Sequence, residues 1–118
     1  MIRLAGGVPQ RVNATAENDF SPKAKNIRDE IDSGSAKSKV LFLNYPSNPT
    51  AQVVDLDFYG AIVDFCKREG IWILSDLAYA EIYFDGVPPP SVLQVPGASK
   101  LISCSPPSTA WARSTVRV

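Results

Sequence analysis

The chain has 118 residues, with 12 basic and 12 acidic side chains, no histidine and a formal charge of zero. That length holds one small domain, burying roughly 65% of the surface its unfolded chain exposes, and it excludes two full domains. The charge balance removes any electrostatic reason to expect nucleic acid or an anionic membrane as partner, so a small neutral molecule is the better expectation.

The N-terminal run from Met1 to Gly7 has one basic residue and too short an apolar stretch for a secretory leader. The longest apolar runs, Val40 to Leu43 and Ile71 to Leu74, are far below the roughly 18 residues of a membrane span, and a cytoplasmic protein is expected. Gly6 to Pro9 reads as a turn, and the alternation around Val12 predicts a short strand over Gln10 to Ala14. Ser21 followed by Pro22 offers an N-cap with proline at the first helical position. Ile27 and Ile31 then give a narrow apolar stripe on a polar surface helix ending near Ser33 and Gly34.

Lys39 to Asn44 predicts a strand whose apolar core, Val40 to Leu43, is uninterrupted, as in a parallel sheet covered on both faces. From Asp55 to Glu69, Leu56, Tyr59, Ile62, Val63 and Cys66 recur at helical spacing. Asp55 or Asp57 suits the helix N-terminus, and Lys67 and Arg68 before Gly70 suit its end. Ile71 to Leu74 follows at once as a second buried strand, so strand, helix and strand form one right-handed βαβ unit and the fold class is α/β. Phe42, Trp72 and Tyr59 are expected in the core, and Lys67 with Arg68 at a solvated helix end.

Beyond Tyr79, Ile82 to Phe84 is apolar, Asp85 and Gly86 make a turn, and Pro88 to Pro90 exclude helix. Lys100 to Cys104 reads as a further strand, and Ser105 to Val118 shows no helical or strand period, which predicts a poorly ordered tail. Cys66 and Cys104 lie far apart, without Cys-x-x-Cys spacing and with no histidine to complete a metal site, which disfavours both a disulfide and zinc. Cys66 falls on the apolar helix face as a small hydrophobe.

The chemistry gathers where the two strands end. One is followed by Asn44-Tyr45-Pro46-Ser47-Asn48-Pro49-Thr50 and the other by Ser75-Asp76-Leu77-Ala78-Tyr79. Open α/β sheets bind ligands in the crevice beyond the carboxyl ends of their strands. Asp76 follows Ser75 and the four apolar residues Ile71 to Leu74, where an unpaired charge is costly, yet no basic residue lies within five positions of it. It needs a cationic partner from elsewhere.

The order and spacing of these motifs, with Asp76 28 positions after Asn48 and Tyr79 three after Asp76, resemble those of the pyridoxal-phosphate (PLP) aminotransferases of class I and II. Leu4 to Pro9, Ala78 to Ile82, Asp85 with Gly86, and the loop from Ser91 to Ala98 extend the likeness from about Leu4 to Lys100. It is greatest toward members acting on LL-diaminopimelate and aspartate. The resemblance implies a partial three-layer PLP-transferase large domain over residues 1–100, with a mainly parallel sheet, and a divergent tail over 101–118. It implies pyridoxal 5'-phosphate as cofactor, an amino acid and a 2-oxo acid as substrates, and a homodimeric family.

By the same resemblance Asp76 is the pyridinium partner, and Asn48 and Tyr79 are hydrogen-bond partners of the ring's phenolic oxygen. Asp76 would keep the ring protonated and therefore able to accept electrons. The Tyr45–Pro46 and Asn48–Pro49 bonds are candidates for the cis form, which would aim Asn48 at the ring.

Three departures limit the likeness. Ala51 stands where the family has glycine, a position where a side chain strains the turn. The family's glycine-containing phosphate loop and stacking aromatic ring have no counterpart positions. The family's Ser-x-Ser-Lys segment would fall near Ser108 to Ala112, where there is no lysine, and Lys100 is the last lysine in the sequence. No catalytic residue is therefore assigned, and negligible transamination by this chain alone is expected. The change of character after Lys100 suggests a shifted reading frame or an interrupted coding region, which sequencing the locus would test. Two rival readings stand beside this one: a non-catalytic remnant or interaction module docking through exposed sheet edges, and an unrelated α/β domain using Asp76 for a metal, against which the lack of a nearby second carboxylate argues.

Overall fold

The computed structural model describes residues 2–13, 15–18, 22–34 and 38–105. Two compact units divide the chain, Met1–Ser38 and Lys39–Val118.

In the first unit, short 3-10 turns at Ile2–Ala5 and Ala16–Asn18 precede helix α1, Ala24–Ser33. The start differs from the sequence expectation. Lys23 is the N-cap, and its backbone N–H donates to the Asn26 side chain at 3.0 Å, so the cap is closed from inside the helix. Ser21 lies outside the described residues. Ile27 is buried and Ile31 half-buried, as the stripe requires. The strand expected at Gln10 to Ala14 is not formed over 10–13, and Ala14 is outside the described residues. Among the described residues its alternating pattern has no strand to pair with. Instead the Gln10 side-chain amide donates to the Glu30 carbonyl at 3.1 Å and accepts from the Ser38 hydroxyl at 2.8 Å.

The second unit is built on strand β1 (Val40–Asn44), helix α2 (Leu56–Glu69), strand β2 (Trp72–Asp76) and strand β3 (Ile102–Ser105). The sheet is parallel throughout, in the order β1-β2-β3. Helix α2 begins because Asp55 accepts the Phe58 N–H at 2.8 Å, and it ends because Gly70 takes the left-handed conformation, φ 66° and ψ 39°. Tyr59, Ile62, Val63, Phe65 and Cys66 are buried along it, with α2 packed on β2. Each large side chain of this set contributes about 1.5–3 kcal/mol of burial. Phe65 belongs to this set although the helical spacing did not single it out, whereas Leu56, in the first turn, is 45% exposed.

The two sheet faces differ. Leu43, Ile73 and Ser75 are buried, while Val40, Phe42 and Trp72 on the opposite pleat are more than half exposed. Phe42 and Trp72 are thus not in the core of this chain, because their face has no covering layer among the described residues. Two 3-10 turns, Val92–Gln94 and Ala98–Lys100, lead into β3, and Lys67 anchors this connection by donating to the Pro96 carbonyl at 3.2 Å. Ile102–Ser105, inside the segment read as a divergent tail, is instead strand β3, held by parallel pairing with β2, and from 106 onward the tail reading falls outside the described residues. Among the described residues no helix is long and apolar enough to cross a membrane.

Cys66 is a free, buried thiol, and burial pushes its pKa up from 9.0 to about 11. The unfolded chain releases this proton near pH 9 while the folded chain keeps it, so folding stability falls as pH rises between those values. Thermal midpoints recorded from pH 8 to 11 are expected to drop, and less steeply for Cys66→Ala; equal slopes for the two proteins would contradict this.

Candidate functional site

Parallel pairing places Asn44 of β1 beside Asp76 of β2, the last residue of each strand. The two motifs therefore start from adjacent points on one sheet edge. The Asn44 side-chain amide donates to Asp76 Oδ2 at 3.0 Å, and Asp76 Oδ1 accepts the Ala78 N–H at 3.3 Å. The carboxylate is half-buried, held at both oxygens, and has no ion-pair partner among the described residues.

After β1 the chain turns sharply. The Tyr45–Pro46 and Asn48–Pro49 bonds are both cis. Ser47 N–H donates to the Gln52 carbonyl at 3.0 Å, Ala51 N–H to the Ser47 carbonyl at 2.8 Å, and the Thr50 hydroxyl to the Ser47 hydroxyl at 3.0 Å. Asn48 N–H donates to Asn44 Oδ1 at 3.2 Å. Tyr45 fixes the turn from below: it is buried, meets the Phe58 ring edge-on at 5.6 Å, and burial raises its phenol pKa above 10.0.

Across the crevice, Asn48 Nδ2 donates to the Tyr79 hydroxyl at 2.8 Å. Asn48 is thus brought to Tyr79, 31 positions on, and is joined to Asp76 through the Asn44 side chain at the strand ends. The bond engages one of the two Asn48 amide hydrogens and uses Tyr79 only as acceptor, so each side chain keeps a hydrogen to donate. Beside the pair opens a cavity of about 730 Å³ lined by Asn48, Val53, Tyr79, Ile82, Tyr83 and Pro88 among others. Asp76 does not line it.

Sequence reasoning gave Asn44 no role, although it is the polar residue ending an apolar strand just as Asp76 is. That shared position was the available signal.

Ala51 sits at φ 55°, in the left-handed region. A Cβ there costs about 1–2 kcal/mol, partly offset by the greater unfolded-state freedom of glycine. Ala51→Gly is expected to stabilise the chain by about 0.5–1 kcal/mol, read as a thermal midpoint higher by several degrees. An unchanged or lower midpoint would contradict the strain.

The sequence matches the family described as aminotransferase class I and II over residues 1–118. Among curated proteins it is 50% identical over 97 residues to a protein of Rhizobium meliloti provisionally named aminotransferase AatC, covering 81% of this chain and 23% of that one. It is 45% identical over 98 residues to an LL-diaminopimelate aminotransferase of Desulforudis audaxviator, covering 83% of this chain and 24% of the relative. Among solved structures, substrate-bound BacF of Bacillus subtilis superposes with a TM-score of 0.76 at 31% identity, over 87% of this chain and 25% of that one. Aspartate aminotransferase of Thermus thermophilus with maleate gives a TM-score of 0.74 at 26% identity, over 86% and 25%. The chain spans about a quarter of the length of the curated relatives it matches.

Proposed function

Because the chain belongs to the aminotransferase class I and II family, we propose that Asn48, Asp76 and Tyr79 are the part of this chain that holds the pyridine ring of pyridoxal 5'-phosphate, on which the family depends. The fold, a parallel sheet with α2 on one face, is that of the aminotransferases it superposes on. The observation that carries the proposal is the Asp76 carboxylate, half-buried at the strand end, fixed at both oxygens and without a cation among the described residues.

The donor set fits the group. Asp76 offers a negative charge for a protonated ring nitrogen, and each of its oxygens, engaged once, retains a lone-pair direction. Asn48 and Tyr79 each keep a hydrogen for the ring's phenolic oxygen, and their mutual bond sets the separation of the two donors. When bound, the cofactor supplies an electron sink for negative charge developing at the alpha carbon of an amino acid. In that chemistry Asp76 would hold the proton on the ring nitrogen, and Asn48 and Tyr79 would orient the ring through its phenolic oxygen.

The chain contributes no lysine between Leu101 and Val118. By this reading it holds and orients, and supplies no lysine at the position where the family bonds covalently to the cofactor. The wider reading includes an amino acid and a 2-oxo acid as substrates, amino-acid biosynthesis as the setting, a second copy as partner in the assembled enzyme, and the cytoplasm as location. The relatives that carry the diaminopimelate name support the biosynthetic setting. Residues 1–100 are the part read as large domain and 101–118 as the divergent segment.

A second reading, a non-catalytic remnant or interaction module, is favoured by the bare sheet face bearing Val40, Phe42 and Trp72. Borohydride reduction of the 118-residue chain with pyridoxal 5'-phosphate tests the division of labour. No stoichiometric adduct at any one lysine and no amino-group transfer are expected; a stoichiometric adduct with turnover would overturn it.

A further inference from the structure

We propose that Asn44 is a positioning residue that couples the two halves of this site, locking the Asp76 carboxylate to the Asn48 turn. The proposal rests on the reading that Asp76 and Asn48 address opposite parts of one ring. Among the described residues Asn44 hydrogen-bonds to both motifs: its Nδ2 donates to Asp76 Oδ2 at 3.0 Å and its Oδ1 accepts from Asn48 N–H at 3.2 Å.

The two bonds enforce one orientation of the amide. Turning it over would set its NH2 against the Asn48 N–H and its carbonyl against the carboxylate, converting two favourable contacts into a donor-donor and an acceptor-acceptor clash. Each bond therefore supports the other. In-register pairing of β1 and β2 delivers Asn44 to this place, since both residues end their strands and point to the same sheet face. With Ala78 N–H on the other oxygen, Asn44 fixes the plane of the carboxylate, and through Asn48 N–H it fixes the backbone that carries the Asn48 side chain to Tyr79. Neither Asp76 nor Asn48 can shift without the other.

The test uses the full 118-residue chain. In two-dimensional amide NMR, Asp76→Asn, which preserves shape, is expected to move the Asn48 backbone N–H resonance of the parent. In an Asn44→Ala background the same change should move it several-fold less. An Asn48 resonance indifferent to Asp76 in the parent, or equally responsive in both backgrounds, overturns the coupling. Because the first comparison uses Asn44 intact, a misfolded Asn44→Ala protein does not remove the test.

Affinity for pyridoxamine 5'-phosphate gives the second arm. Asn44→Ala should weaken it about tenfold when Asp76 is present, the scale of one net hydrogen bond, and not further once Asp76→Asn has been made. Equal losses in both backgrounds would make Asn44 a packing residue and overturn the proposal. Absence of pyridoxamine 5'-phosphate binding by the parent would defeat the functional reading instead, and the amide comparison would still decide the role of Asn44.

Discussion

Exchanging Asp76 for asparagine is expected to weaken binding of pyridoxamine 5'-phosphate to the chain by about 10- to 100-fold. The physical reason is the loss of a charge-assisted hydrogen bond between carboxylate and protonated ring nitrogen, about 1.5–3 kcal/mol, or one to two decades in affinity. The asparagine side chain has the same shape and leaves Leu43, Ile73 and the α2 core untouched, but its NH2 must face either Asn44 Nδ2 or the Ala78 N–H, so the thermal midpoint should fall by only a few degrees with folding retained. A titration followed by tyrosine fluorescence checks both statements, since Tyr79 lies within the site. Unchanged affinity, or a loss matched by unfolding, would contradict the role given to Asp76.

Phe65→Ala is expected to abolish cooperative folding. Phe65 is 2% exposed on α2, among Ile62, Val63 and Cys66 that are fully buried. Truncating a buried phenylalanine costs about 3–5 kcal/mol through lost transfer energy and the cavity left behind. A small domain has only about 5–15 kcal/mol in total, and this chain draws on the low end because Phe42, Trp72 and Phe84 remain exposed to water. Far-ultraviolet circular dichroism on heating should show a sharp transition for the parent and a gradual one for the variant. The control is Phe84→Ala: Phe84 is 94% exposed, so its truncation should leave the transition nearly unmoved. A sharp transition for Phe65→Ala, or equal losses for the two variants, would contradict this account of the core.

The βαβ unit was legible because its signals are local. Asp55 caps α2 through Phe58 N–H and Gly70 ends it in the left-handed conformation, both within a few residues of the pattern that announces them. The proposed triad was singled out for a different reason: Asn48, Asp76 and Tyr79 stand at spacings that resemble those of a known family, and the structure places Asn48 against Tyr79 and both motifs at paired strand ends. Asn44 was missed because its contact with Asp76 depends on the register between two strands 32 positions apart, which no local pattern encodes.

Phe42 and Trp72 show the converse limit. An uninterrupted apolar strand says that both of its faces are apolar, not which segment covers each, and among the described residues nothing covers Val40, Phe42 and Trp72. At Gln10 the alternation that suggests a strand carries no information about a partner strand, and the backbone stays irregular while the side chain binds Glu30 and Ser38. Ala51 combines both kinds of information. The family resemblance marked the position as one for glycine, and the φ of 55° gives the reason.

The central claim, that these residues hold a pyridine ring, is tested most directly by titrating the isotope-labelled chain with pyridoxamine 5'-phosphate and following its amide resonances. Saturable changes confined to Asn48, Asp76, Tyr79 and their neighbours, with weak affinity on the order of millimolar, are the predicted result. Changes that cluster elsewhere, as on helix α1 or on the connection from Val92 to Lys100, or no changes at all, would contradict it.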